Sequence, residues 1–166
     1  MESTNNRVDK NNYYLDIADA VAERSTCLRK HYGAVIVNND EVVSTGYNGA
    51  PRGVSNCIDN GNCERIRLRI PRGTNYLICK SCHSEQNAII SASRKEMLGG
   101  TLYLSGKEHD SGEYVKDANC CSICKRMIIN AGISKVIIRD NKESYRVIDV
   151  NEWKNDISSL MGINGY

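Results

Sequence analysis

An α/β layer fold with a mixed sheet is what this sequence predicts, and three observations carry the reading. Short β-branched runs alternate with stretches of helical apolar spacing, in the order helix, hairpin, helix, strand, helix, strand, strand. The 166 residues are 40% apolar and 25% charged, the balance of a folded globular chain. No internal repeat or low-complexity linker divides residues 1–166, so a single domain is expected.

Taken in order, Tyr13–Arg24 carries Tyr14, Leu15, Ala18, Val21 and Ala22 at helical spacing. Ala34–Val37 and Val42–Thr45 flank Asn38-Asn39-Asp40, the composition of a hairpin. A Gly/Asn/Pro-rich loop, Gly46 to Gly53, follows. From Asn56 to Cys82 the chain is rich in Cys, Arg and Gly and holds no period. Unless something other than an apolar core pins it, a segment of that length should be mobile. Glu85–Met97 reads as a helix capped by Ser84 and stopped by Gly99-Gly100. Leu102–Ser105 is a short strand and Gly106–Asn119 a polar insertion. Cys121–Ala131 is a helix ended by Gly132, and Val136–Arg139 and Arg146–Val150 are two last strands.

Composition excludes several classes. Lys+Arg 22 against Asp+Glu 20 leaves +2 with no block of like charge, which argues against a nucleic-acid polymer as partner while leaving a small nucleotide open. Apolar runs such as Ala34–Val37 fall far short of the roughly 20 residues a bilayer requires, so no membrane partner is expected. Met1–Lys10 is polar and lacks the apolar core of an export signal. A cytoplasmic location is therefore expected, the host cytoplasm if the chain is viral. Eight cysteines in a chain of that kind point to metal or catalysis, because cytosolic thiols stay reduced. Phenylalanine is absent and nine tyrosines supply most of the aromatic bulk, with no functional consequence.

The chemistry concentrates at two expected helix starts. His83-Ser84-Glu85 opens one, and Cys121-Ser122-Ile123-Cys124 opens another. Two thiolates and an imidazole are three ligands for a tetrahedral zinc whose fourth position stays open. Positions i and i+3 at a helix start share one face, and the helix's positive end favours thiolate over thiol. Glu85, two beyond His83, can sit beside the metal as a base without binding it. Alone, His83 could be an ordinary histidine, and an isolated C-x-x-C is structural, redox or nothing as often as catalytic. Together, H-x-E and C-x-x-C form the signature of zinc deaminases.

Further motifs accompany these: Arg24-Ser25-Thr26-Cys27, Gly33-Ala34-Val35-Ile36-Val37, Thr45-Gly46-Tyr47-Asn48-Gly49-Ala50-Pro51, His83-Ser84-Glu85-Gln86-Asn87-Ala88-Ile89, and Ile129-Asn130-Ala131-Gly132-Ile133. With them the sequence resembles the deoxycytidylate (dCMP) deaminases of the zinc-dependent cytidine deaminase superfamily, virus-encoded types included, over roughly Tyr14–Ile138. The Gly-Tyr-Asn-Gly-Ala-Pro loop points to the dCMP branch. Three departures stand out: Ser84 where the family has Ala, Cys120 where it has Pro, and a dozen or so extra residues between Tyr103 and Cys121.

The resemblance implies a three-layer α/β/α cytidine-deaminase-like fold with a mixed sheet of about five strands. It implies hydrolysis of dCMP to dUMP and ammonia, which supplies dUMP for dTMP synthesis. Zn²⁺ would sit on His83, Cys121 and Cys124, and Glu85 would carry protons from water to N3 of cytosine and to the leaving amine. The backbone N–H of Ser84 would hold the base carbonyl. Asn48 is the candidate for the deoxyribose. Arg24 and Ser25 are candidates for the 5′-phosphate, which needs charge-assisted donors, although Arg24 reads equally well as a solvated arginine at a helix end.

In a subset of dCMP deaminases, cysteines matching Cys27, Cys57, Cys63 and Cys79 hold a second, structural zinc, which here would staple residues 56–82 to the Cys27 region. Cys82 in place of Cys63 or Cys79, and four free thiols, stay open as alternatives. Many members are homohexamers activated by dCTP with Mg²⁺ and inhibited by dTTP. Gly49, Arg52 and Arg94 occupy the matching effector positions, each arginine equally readable as ordinary surface. Cys82 and Cys120 have no assigned role, and the Gly106–Asn119 insertion is expected to overhang the active site.

Three rivals remain. Another superfamily deaminase, acting on tRNA adenosine or free cytidine, fits the metal motifs but not the +2 balance or the Gly-Tyr-Asn-Gly-Ala-Pro loop. Cys79-Lys80-Ser81-Cys82-His83 matches the C-x-x-C-H of c-type haem attachment, which needs an exported chain. A non-catalytic zinc-binding module leaves Glu85 unexplained.

Overall fold

The computed structural model describes residues 7–162; Met1–Asn6, part of the polar start read above, lie outside the described residues. Five strands, β1 (Lys30–Asn38), β2 (Glu41–Tyr47), β3 (Thr101–Glu108), β4 (Lys135–Arg139) and β5 (Tyr145–Asp149), form one sheet in the order β2-β1-β3-β4-β5. Only the β3–β4 pair is parallel; β1–β2, β1–β3 and β4–β5 are antiparallel. The described helices are α1 (Lys10–Ala22), α2 (Cys57–Asn60), α3 (Glu64–Arg67), α4 (Ser84–Ile90), α5 (Arg94–Met97), α6 (Ser122–Ala131), α7 (Val150–Asn155) and α8 (Ile157–Met161).

The expected α/β class and mixed sheet are present, and the layers are three. On one face Tyr14, Leu15 and Ala18 of α1 pack against Val35, Val37, Tyr103 and Ile137. On the other, Ala88 of α4 and Ile128 of α6 pack against Ala34, Ile36, Leu102, Leu104, Val136 and Ile138. Alternate residues of each strand thus face opposite cores. Both faces being covered explains why Ala34–Val37 and Val136–Ile138 read as unbroken apolar runs.

Two glycines allow the layers to close. A Cβ on Gly33 would stand 2.0 Å from the Ala18 carbonyl oxygen, so α1 could not lie on β1. One on Gly46 would stand 2.3 Å from both Ala88 N and Ser84 O, so α4 could not lie on β2.

Several elements differ from the sequence reading. β1 starts at Lys30, not Ala34, and β3 runs on through Gly106–Glu108, because Lys30 to Gly33 pair with Glu108 to Ser105. That pairing is a tertiary hydrogen-bond ladder, invisible in apolar periodicity. The single helix expected over 85–97 is two. Ser93 caps α5 by accepting from Glu96 N at 3.3 Å while Glu96 Oε2 accepts from Ser93 N at 2.9 Å, and this local box overrides the continuing apolar spacing. Val150, expected to end a strand, begins α7, because the Asp149 carboxylate caps that helix at Asn151 N, 2.9 Å.

The segment from Asn56 to Cys82 is held by a buried arginine. Arg65 donates to the carbonyls of Asn75 at 2.9 Å and Pro71 at 3.0 Å, and lies over the Tyr76 ring at 5.5 Å. At the segment's end Gly49 and Cys82 exchange backbone hydrogen bonds of 3.1 and 2.8 Å.

Arg139 is the largest fully buried side chain, at 0% exposure. Its guanidinium donates to Asp16 Oδ1 at 2.8 Å and Asp19 Oδ2 at 2.7 Å, and Asp19 also accepts from the Tyr114 hydroxyl at 2.7 Å. Replacing Arg139 with Ala strands the Asp19 carboxylate in the core, at an expected cost of about 3–5 kcal/mol in urea denaturation. Burial works against the Asp16 carboxylate, but Lys142 and Arg139 outweigh it and lower its pKa. Its contribution is therefore present above the unfolded pKa of about 3.9 and is lost as pH falls through the lower folded value.

Candidate active site

Two helix N-termini bring the expected metal ligands together. His83 immediately precedes α4, and its backbone N donates to Gln86 Oε1 at 2.7 Å, which fixes how the helix begins. Cys121 caps α6, its Sγ accepting from Cys124 N at 3.5 Å. His83 Nδ1 lies 3.4 Å from Cys121 Sγ and 3.4 Å from Cys124 Sγ. For zinc–sulfur bonds of 2.3 Å and a zinc–nitrogen bond near 2.0 Å, the S–N edge of a tetrahedron is about 3.5 Å. The donor set and its spacing fit zinc.

The electrostatics suit a cation. The Cys121 thiol is held down to about 4, first by the hydrogen bond from Cys124 and then by His83, against the opposing effect of burial. Cys124, the donor of that bond and itself buried, is pushed up. One proton shared between two sulfurs is what a metal displaces. Burial works against the imidazolium of His83, but the hydrogen bond to Cys121 and the charge of Glu85 raise its pKa.

Glu85 stands beside this group, not in it. The three clustered ligand atoms, within 4.8 Å of one another, are those of His83, Cys121 and Cys124. Glu85 is 4% exposed, and burial raises its pKa, with His83 opposing. The Ser84 hydroxyl, wholly buried, donates to Glu85 Oε2 at 3.0 Å. Cys120 faces the same carboxylate, and burial and the Glu85 charge push its thiol well up. A cysteine before Cys121 carries no sequence signal of that contact; only the turn into α6 creates it.

The remaining candidates separate. Asn48, Gly49 and Ser84 line one cavity together with Glu85, His83 and Cys121, whereas Ser25 does not line it. Asn48 Oδ1 accepts from Ser25 Oγ at 2.6 Å and Tyr32 N at 2.8 Å, and its Nδ2 donates to Lys30 O at 2.9 Å. It therefore ties the loop after β2 to the stretch entering β1. Arg24 is exposed and does not line this wall. Of the insertion, Asn119 lines it, while Val115 and Ala118 turn into the core. Arg94 donates to Asn130 O at 2.8 Å, and its helix α5 takes Asn38 at the far end of β1. Gly49 and Arg52 follow Asn48 at the Lys30 end, so the length of β1, roughly 25 Å, separates the two effector candidates within one chain.

Cys27, Cys57, Cys63 and Cys79 all line the cavity, and Cys82 does not. Burial raises Cys57 and Cys79, and the other thiols of this set add to both shifts. Among the described residues these four are not drawn within 4.8 Å of one another as the His83 group is.

The profile of the cytidine and deoxycytidylate deaminase zinc-binding region matches residues 8–139. The chain belongs to this family. It is 34% identical over 136 residues to the deoxycytidylate deaminase of Mycobacterium phage D29, covering 79% of this chain and 94% of that one. It is 33% identical over 141 residues to the deoxycytidylate deaminase of Saccharomyces cerevisiae, of which it spans only 40%. The crystal structure of cyanophage S-TIM5 dCMP deaminase with dCMP and dUMP matches the fold with a TM-score of 0.56 at 23% identity, over 93% of both chains. His83 stands with Cys121 and Cys124 in a group that fits the zinc named for this family, an arrangement the C-x-x-C-H reading of residues 79–83 does not account for.

His83→Ala and Cys124→Ala are expected to lose the zinc of this group, and Cys120→Ala to retain it. Metal analysis of the purified proteins, before and after exposure to a chelator, checks both outcomes.

Proposed function

We propose that this protein hydrolyses dCMP to dUMP and ammonia, with Zn²⁺ held by His83, Cys121 and Cys124. The observation that carries the reading is the buried Glu85, its pKa raised by burial, beside a three-ligand group of zinc geometry. Family membership and relatives named deoxycytidylate deaminase support the substrate. When bound, zinc supplies Lewis-acid activation of a water near neutral pH.

The chain's own residues do the rest. Glu85 takes a proton from the attacking water and gives it to N3 of cytosine, then delivers the second proton to the amine leaving C4. Its raised pKa suits a group that must accept and release a proton in one cycle. Ser84 Oγ anchors Oε2, and the Ser84 N–H, in the first turn of α4 and without an intrahelical partner, faces the base carbonyl. Asn48 shapes the sugar side of the cavity through the loop it ties together.

A second, structural zinc on Cys27, Cys57, Cys63 and Cys79 belongs to the same reading. Its support is that all four cysteines line the same cavity, with Cys27 Sγ accepting from Arg29 N and Cys79 Sγ from Ser81 N, both at 3.4 Å. Activation by dCTP with Mg²⁺ and inhibition by dTTP, through Gly49, Arg52 and Arg94, is the regulatory part of the proposal. Because the length of β1 separates Arg94 from the other two, one effector touching both would sit between two copies, consistent with a homohexamer. The whole of residues 1–166 acts as a single domain in this reading, in the cytoplasm; no described helix is long and apolar enough to cross a membrane.

Loss of cytosine absorbance on dCMP tests the reaction. Zinc-loaded protein converts dCMP to dUMP, and Glu85→Gln lowers kcat by roughly 10²–10⁴-fold while retaining metal. Cytidine or tRNA turnover without dCMP turnover would replace this substrate. Metal analysis should find two zinc ions per chain, falling to one in Cys57→Ser.

A further inference from the structure

The helix that His83 precedes fixes its backbone but not its ring. The His83 backbone N donates to Gln86 Oε1 at 2.7 Å, and its carbonyl accepts from Asn87 N at 3.0 Å. Neither bond reaches the imidazole, which still turns about its own side-chain torsions. Yet that ring must hold Nδ1 3.4 Å from both Cys121 Sγ and Cys124 Sγ.

Tyr76 meets the imidazole from the cysteine-rich segment. The two ring centroids lie 5.4 Å apart with planes at 71°, the edge-to-face arrangement that aromatic quadrupoles favour. Tyr76 is itself braced. It packs against the core that α4 and α6 cover, and Arg65 lies over its ring at 5.5 Å. It opens a single turn, Tyr76–Ile78, directly after Asn75, whose backbone is left-handed at φ 49°. Asparagine tolerates that region, but the conformation persists only where its surroundings impose it. Here the Asn75 carbonyl accepts from Ile78 N at 3.1 Å and from Arg65 Nη1 at 2.9 Å, while Arg65 Nη2 reaches Pro71 O at 3.0 Å. Arg65 is 5% exposed, so these bonds form away from competing water. One buried guanidinium thus fixes both the backbone entering Tyr76 and the face of its ring.

We propose that Tyr76 is a positioning residue for the His83 imidazole and that Arg65 holds it in that role, so the cysteine-rich segment sets the aim of a metal ligand. The inference rests on the reading of zinc at His83, Cys121 and Cys124 and deepens it. An imidazole already aimed loses less freedom when a metal binds, so support from outside the ligand set raises affinity.

The test compares wild type with Tyr76→Phe, Tyr76→Leu, Arg65→Lys and Leu77→Ala. Leu77, 97% exposed in the same turn, is the control. Competition with a chromogenic chelator gives zinc affinity, the ion of this group being the one that His83→Ala lacks. Absorption bands of the cobalt-substituted proteins report ligand geometry, and KM and kcat for dCMP are measured at saturating zinc. Tyr76→Leu is expected to weaken zinc at this group roughly 10–100-fold, to shift the cobalt bands, and to lower kcat more than it raises KM. Arg65→Lys, which keeps a cation but loses the fork onto two carbonyls, moves all three readouts the same way by less and serves if Tyr76→Leu does not fold. Tyr76→Phe, which keeps the ring, and Leu77→Ala match wild type. Zinc held as tightly in Tyr76→Leu as in wild type would overturn the assignment. So would equal losses in Tyr76→Phe and Tyr76→Leu, or a raised KM with affinity and cobalt bands unchanged, the behaviour of a cavity wall alone. A wild type that binds no zinc at His83 sinks this inference together with the metal reading. One that binds zinc but leaves dCMP unchanged sinks only the reaction assigned above, and the affinities and cobalt bands still decide the role of Tyr76.

Discussion

The approach of two helix N-termini over one sheet is the constraint on which this structure depends. His83 Nδ1 can stand 3.4 Å from two cysteine sulfurs only if α4 and α6 both begin at the same place. Gly46 lets α4 rest on β2 without a side chain between them. The parallel crossover from β3 to β4 carries α6 back over the same face, so Cys121 and Cys124 arrive opposite His83. Both helices present their positive ends to the sulfurs, favouring the anionic form a metal requires.

Charge is buried on both faces of the sheet, with opposite logic. Beneath α1, Arg139 has two carboxylate partners, and Asp19 is surrounded by donors from Arg139, Tyr114 and Ser105. Those bonds lock α1 to β3, β4 and the insertion, with only the Arg139 Nε left unpartnered in the network. Beneath α4, Glu85 has one side-chain donor, the Ser84 hydroxyl, and burial raises its pKa. A matched charge supports the scaffold, and a poorly matched one is poised for proton transfer.

Residues 56–82 illustrate how an irregular segment acquires a structure without a core of its own. Its helices are single turns, and Leu77 is 97% exposed. What organises it is polar: the Arg65 fork onto two carbonyls, the packing of Arg65 over Tyr76 and the edge-on contact of Tyr76 with His83, and the backbone exchange between Gly49 and Cys82. Those contacts run directly to His83, so the segment's conformation and the shape of the cavity are set together.

The layers and the metal group were legible in the sequence because both are encoded locally. Apolar runs mark strands covered on two faces, and H-x-E and C-x-x-C place ligands by short spacing at helix starts. Helix breaks governed by competing chemistry, such as the Ser93–Glu96 box, were hidden by a continuing apolar period. The long-range pairings were hidden for a different reason. The extension of β1 to Lys30 depends on Glu108, the contact of Cys120 with Glu85 on the turn into α6, and the meeting of Lys30 with Arg72 on two distant segments. Sequence by itself therefore determined the reacting group, since its ligands lie within a few residues of two helix starts. The tertiary structure alone decided which cations share the cavity with that group, because charges far apart in the chain become neighbours only when the sheet and the cysteine-rich segment close around the same space.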